Sequence, residues 1–178
     1  VFKNATIHVS YDKIIENGDL LIKSGKIITI GTNLTIPENS VVHDLKGKHI
    51  YCSFIELFSS IGLPELKRQK RADYPQYKSA KKGPYYWNEA IHPEYNAIND
   101  LSFDQKKIKP FLEKGFGLTL SHSQNGIARG TGFLLALNEK KNKNIISSYA
   151  GSFFSFKKGI SNQVYPSSLM GCIALLRQ

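Results

Sequence analysis

Cysteine is scarce in this 178-residue chain, with two copies, and methionine and tryptophan occur once each. Cys52 and Cys172 stand far apart in apolar surroundings, which excludes a Cys-x-x-Cys motif and a disulfide framework. Both read as small buried hydrophobes. No apolar run reaches the ~18 residues that a membrane-crossing helix needs. The N-terminal residues carry no charged-then-apolar signal segment, and the compartment stays open. Acidic side chains are outnumbered, 14 against 24 Lys and Arg, for a formal charge of +10. That excess suits an anionic partner and speaks to association rather than to fold.

What is present begins as a β-rich module over residues 1–50. Phe2–Val9 is rich in strand-forming residues, Asp12–Ile15 is a short strand, and Asn17-Gly18 predicts a tight hairpin turn. Asp19–Lys23 and Lys26–Ile30 flank Ser24-Gly25, a second turn of the type that needs positive φ. A polar loop over Thr32–Ser40 leads to a short strand at Val41–Asp44, and Lys46-Gly47-Lys48 turns into the next element. His8, His43 and His49 fall in this module at spacings that match no metal-ligand pattern, so surface or packing roles are expected.

The stretch Gly47-Lys48-His49-Ile50-Tyr51-Cys52-Ser53-Phe54-Ile55-Glu56-Leu57-Phe58-Ser59-Ser60 closes the module. Taken alone, Ile50–Phe58 is a buried strand, with Phe58 as a core ring. The stretch also resembles the first barrel strand of the amidohydrolase superfamily, in its imidazolonepropionase-like branch. There the pattern runs Gly-Lys, two or three apolar residues, Pro-Gly, Phe-Ile-Asp, one residue, then His-x-His. Cys52 and Ser53 replace Pro-Gly, Phe54 and Ile55 match, Glu56 replaces the aspartate, and Phe58 and Ser60 occupy the two histidine positions. A phenyl ring has no lone pair to offer, and a neutral serine hydroxyl is a poor zinc ligand.

Further along, residues 64–90 form a basic, tyrosine-rich excursion. Lys67, Arg68, Lys70, Arg71, Lys78, Lys81 and Lys82 interleave with Tyr74, Tyr77, Tyr85, Tyr86 and Trp87. A single-stranded nucleic acid platform has this composition, and so has a solvated loop anchored by tyrosines. No nucleic-acid-binding motif accompanies it, so specific nucleic-acid binding is not expected, and a lid or contact loop is the preferred reading.

A helix is expected over Phe103–Lys114, capped by Ser102 or Asp104 and stopped by Gly115, with Pro110 either kinking it or starting a shorter one. Phe116–Ser121 then reads as a strand, as in a βα unit. His122 follows at the strand's C-terminal end, where barrel active sites lie. One imidazole makes no metal site, so a hydrogen-bonded histidine is expected over a ligand. Gly126, Gly130 and Gly132 match neither a Rossmann nor a phosphate-loop pattern and read as freedom for a tight bend. A turn at Asn138–Asn144 and an extended apolar stretch at Ile145–Phe156 precede a helix around Leu169–Arg177, capped by Ser167 or Ser168. Phe116–Ser121, Gly126–Leu137 and Tyr165–Arg177 each resemble segments of the same superfamily, in the same order.

The resemblance implies an α/β chain: a partial urease-like β-sandwich over 1–50, then the start of a TIM-like (β/α) barrel over 51–178. It implies the N-terminal piece of a hydrolase of non-peptide C–N bonds, in which intact members use a divalent metal such as zinc. No catalytic residue or metal ligand is assignable in these residues, and Glu56, His122 and Arg129 are the barrel-mouth candidates. The expected partner is the remainder of the same polypeptide, which would supply later barrel strands and complete the sandwich. A non-catalytic scaffold half beside an intact amidohydrolase domain is the alternative. Substrate and oligomeric state are not encoded in any motif present.

Overall fold

The structure is a computed structural model that describes residues 1–67, 75, 82, 87–138 and 145–178. It is strand-rich and mixed α/β, with two α-helices among the described residues. It divides into two compact units, Val1–Ser53 and Phe54–Gln178.

In the first unit β1 (Phe2–His8), β2 (Ile14–Lys23), β3 (Lys26–Gly31), β4 (His43–Asp44) and β5 (His49–Ile50) form one sheet. β2 pairs antiparallel with both β1 and β3, while β4 and β5 lie parallel to successive parts of β1. Ser24-Gly25 forms the expected two-residue turn, with φ of 51° and 75°, the combination that matches strand twist. The Asn17-Gly18 expectation fails. β2 runs straight through it, and the first hairpin instead closes at Val9–Lys13, where Val9 N donates to Lys13 O at 3.0 Å.

Asn17 does adopt positive φ, 48°, but as an extra residue in the strand. Left-handed backbone serves a bulge as well as a turn, which is why the dipeptide misleads. β1 carries a matching extra residue around Asn4, at φ 57°, so the register is restored past both bulges. Asp19, buried, ties the region together: its carboxylate accepts from Asn4 N at 3.3 Å and Leu34 N at 3.1 Å. Ala5, Ile7 and Leu20 form the core of this unit. His8 stacks on Tyr51 and shares a 2.9 Å hydrogen bond with His49, while His43 stacks on Phe2.

The second unit opens with β6 (Phe54–Ser59), which starts later than the Ile50–Phe58 expectation. A 3-10 turn at Ala97–Asp100 and helix α1 (Gln105–Glu113) lead to β7 (Phe116–Ser121), parallel to β6. Asp104 caps α1, accepting from Lys106 N at 2.9 Å, a bond that satisfies one of the orphan amides of the first turn. The helix does not start at Pro110 but runs through it. The carbonyl this leaves without an amide belongs to Lys106, an exposed residue, so water can take it up. Ile108 packs inward with Phe133 and Leu135, which lie on β9 (Phe133–Ala136), antiparallel to β7. β10 (Ile145–Ser147) extends this sheet beyond β9.

β8 (Ala128–Thr131) and β11 (Ser152–Phe154) form a separate antiparallel pair, so the expected single stretch over Ile145–Phe156 is two strands in two sheets. Gly151 breaks it, at φ 116°. Helix α2 (Leu169–Arg177) is capped by Ser168, whose Oγ accepts from Gly171 N at 3.1 Å, and buries Cys172 and Leu175 against Ala90 and Ile127. Cys172 is buried as expected, but Cys52 is exposed.

The segment before the 3-10 turn is fastened to β8. Ile127 N donates to Ala90 O, His92 N to Ala128 O and Thr131 N to Tyr95 O, at 2.6, 2.8 and 2.9 Å. Gly126 and Gly130 permit this, because a Cβ at Gly130 would lie 1.9 Å from Tyr95 O and one at Gly126 would lie 2.7 Å from Ala90 O. The glycines serve close approach more than a tight bend. Gly130→Ala should therefore cost well over the ~1–2 kcal/mol of left-handed backbone alone. Gly115→Ala, also at positive φ but with its nearest neighbour at 3.6 Å, should cost only about that amount. Chemical denaturation of both variants checks the contrast.

Candidate functional site

An open cavity of about 550 Å³ lies in the second unit at the C-terminal ends of the parallel pair. Ser60, just past β6, and Ser123, Gln124 and Asn125, just past β7, line one side. His92, Tyr95 and Asp100, carried by the segment fastened to β8, line another. Strand ends of a parallel pair are where side chains from different loops converge, and that is where α/β folds bind ligands.

The cavity wall is mixed, with Leu63, Pro64 and Leu66 beside polar groups that are internally bonded. Tyr95 Oη donates to Asp100 Oδ2 at 2.7 Å, and burial together with that carboxylate pushes the phenol well above its ordinary range. It stays protonated at any physiological pH. His92 places Nδ1 4.0 Å from Glu94 and Nε2 3.5 Å from the Asn125 side-chain amide. Asn125 is itself fixed, its Oδ1 accepting from Ile160 N at 3.0 Å and its backbone amide donating to Ser123 Oγ at 3.1 Å.

The positions that resemble the paired histidines are both at this end of β6. Phe58 is not a core ring but 65% exposed, because β6 is an edge strand with only β7 beside it among the described residues. Its ring meets the His122 imidazole edge-on at 5.2 Å. Ser60 faces the cavity. Glu56 is turned back on its own strand, accepting from Phe58 N at 3.0 Å across an irregularity in the β6–β7 register.

His122 is buried, stacked on Phe153 with centroids 4.0 Å apart and planes 6° from parallel. Gly132 makes the stack possible, since a Cβ there would lie 2.6 Å from Phe153. Nδ1 lies 2.9 Å from Ser123 O. A carbonyl can only accept, so Nδ1 carries the proton and Nε2 the lone pair. Burial, and secondarily the nearby Arg129 charge, hold the imidazole below its ordinary value, against the opposing pull of the Ser123 carbonyl. His122 and Arg129 are thus neighbours, and Glu56 has no bond to either among the described residues.

These residues do not fit a catalytic zinc. That ion takes three nitrogen, sulfur or carboxylate donors and a water. Here Phe58 sets a phenyl ring against His122 and Ser60 offers a hydroxyl, and although His92 also lines the cavity, among the described residues no three His, Cys, Asp or Glu side chains are grouped to hold a metal. In the basic excursion, Trp87 packs against the cluster of Ala90, Ile127, Cys172 and Leu175. Lys67 and Lys82 are exposed, and the other named Lys, Arg and Tyr residues of that stretch, like 139–144, lie outside the described residues. The Phe103–Leu137 region was legible as helix, strand and glycines. His92, Tyr95 and Asp100 belong to no motif, and the signal that points to them is the glycine spacing, which demands a closely apposed backbone.

Among solved structures, the chain is similar to an amidohydrolase from Thermotoga maritima, with 24% identity and a TM-score of 0.71. The match covers 99% of this chain and 45% of that one, so the chain spans less than half the length of that amidohydrolase. The likeness shows an amidohydrolase fold over part of its extent. No family model matches the sequence, and no curated protein matches it.

His122 generates a pH dependence of definite sign. Its folded pKa lies below the ordinary 6.5, so the unfolded chain takes up the proton first and neutral His122 favours folding. That contribution is complete above about pH 6.5 and declines as the pH falls from there to the lower folded value. Histidine NMR should show His122 titrating below 6.5 with the proton on Nδ1 at neutral pH. His122→Gln should flatten the loss of melting temperature between neutral and mildly acidic pH.

Proposed function

We propose that this chain is the N-terminal part of an amidohydrolase-like hydrolase of non-peptide C–N bonds, in which these residues supply architecture and a polar cleft rather than metal ligands. The observation that carries the reading is the end of β6, where Phe58, against the His122 ring, and Ser60, on the cavity, occupy the two positions that resemble a His-x-His pair. The likeness to the Thermotoga amidohydrolase over less than half of that chain supports a part rather than a whole. The N-terminal sheet corresponds on this reading to part of a β-sandwich, and β6, α1 and β7 to the first βα unit of a barrel.

In such a hydrolase a metal-activated water attacks the amide carbonyl. No step of that kind is assigned to these residues. Their role is to shape one side of the cleft, with the Tyr95 hydroxyl, the Asn125 amide and the Ser60 hydroxyl as neutral hydrogen-bonding groups. Attack and leaving-group protonation then belong to residues of the remaining polypeptide.

A second reading, a non-catalytic companion half beside an intact amidohydrolase domain, shares with the first the need to cover the β6 edge. Phe54, Leu57 and Phe58 are each close to two-thirds exposed there, and a long apolar edge is a liability unless another strand covers it. On either reading the remainder of the polypeptide is the partner that completes the sheet.

Elemental analysis of chain purified without chelators should find far less than one zinc per molecule. One tightly held zinc, lost on His122→Ala, would sink the proposal. The Phe58→His, Ser60→His double variant should lose only about 1 kcal/mol, since the Phe58 ring is exposed and its edge contact with His122 is worth about that. It should acquire loose zinc binding without hydrolysis of cyclic amides such as hydantoin, and calorimetry with a melting curve reads both.

A further inference from the structure

Arg129, at the second position of β8, is only 5% exposed. Its Nε donates to Gly126 O at 3.0 Å, and Nη1 reaches Gln124 Oε1 at 3.5 Å. Both acceptors are neutral, and they engage two of the five N–H donors of a guanidinium. Among the described residues no carboxylate lies within ion-pair distance of it, and burial alone depresses its pKa. The carboxylates that line the cavity are engaged elsewhere, Asp100 with the Tyr95 hydroxyl and Glu65 with Lys107 Nζ. Arginine does not escape by losing its proton.

A buried charge without a counter-ion is costly, and folds retain one where something else neutralises it. Gln124 links the charge to an entrance. It contacts Arg129 and also lines the cavity of about 550 Å³. At 3.5 Å its contact is at the outer limit of a hydrogen bond, so an incoming oxygen can displace it at little loss. The planar fork of a guanidinium matches the two oxygens of a carboxylate.

We propose that Arg129, gated by Gln124, is a binding site for a carboxylate group that enters from this cavity. The carboxylate belongs either to a small organic acid or to an Asp or Glu side chain of the polypeptide beyond these residues. The site follows from an unbalanced charge and does not depend on the hydrolase reading above, so zinc content or hydrolytic activity bears on that reading and not on this one.

The test follows the Arg129 Nε–H resonance of the 178-residue chain while acetate is added, with sodium chloride at matched ionic strength as the control. Acetate should shift the resonance saturably and chloride should not. Calorimetric acetate affinity should fall about tenfold or more in Arg129→Gln. Gln124→Glu places a carboxylate beside the guanidinium without changing the side chain's size, and it should raise the melting temperature while abolishing the acetate response. In a longer polypeptide, a resonance already at the acetate-bound position and unresponsive to acetate identifies an internal carboxylate. A resonance that still responds identifies a free acid as the ligand. The proposal is overturned if acetate acts no differently from chloride in the 178-residue chain, or if Gln124→Glu leaves both melting temperature and acetate response unchanged.

Discussion

The second unit depends on how closely one irregular segment lies against one short strand. Residues 90–95 run along β8 with their carbonyls where side-chain carbons would ordinarily be, and Tyr95 O occupies the space of a Cβ at position 130. That approach aligns the amides of Ile127, His92 and Thr131 with their acceptors. It also carries His92, Tyr95 and Asp100 to the cavity wall. Gly132 does the same one strand-step later, admitting Phe153 onto the His122 ring. One wall of the cleft, and the stack that buries His122, follow from the missing side chains.

Much of the fold was legible because it is written in local chemistry. Asp104 and Ser168 accept from amides within their own first turns, Ser24-Gly25 supplies two left-handed residues to a two-residue hairpin, and Gly115 ends α1 at φ 87°. Each needs only neighbours in sequence. Asn17-Gly18 carries the same local signal but is put to a different use, since a left-handed residue between two strand segments makes a bulge whenever the partner strand continues opposite it. Whether the partner continues is decided by β1, not by the dipeptide.

What was not legible depends on which surface a strand has available. Cys52, just before β6, and the apolar residues of β6 have core composition, yet Cys52 is exposed and the β6 residues lie at the edge of their sheet. The replacement of two imidazoles by Phe58 and Ser60 could be read directly, because it is a matter of identity and spacing. The solitary charge of Arg129 could not, since a sequence shows an arginine but not the absence of an acid beside it.

The paired irregularities of β1 and β2 constrain how this module can change its length. One extra residue near Asn4 offsets one near Asn17, so side chains alternate correctly on both sides of the pair. Removing either residue alone would turn Leu20 and its neighbours in β2 to the opposite face relative to β1, exchanging core for solvent. Removing both would leave the alternation intact, at the cost of the amide that Asn4 directs at Asp19. Single-residue deletions here are therefore coupled across strands.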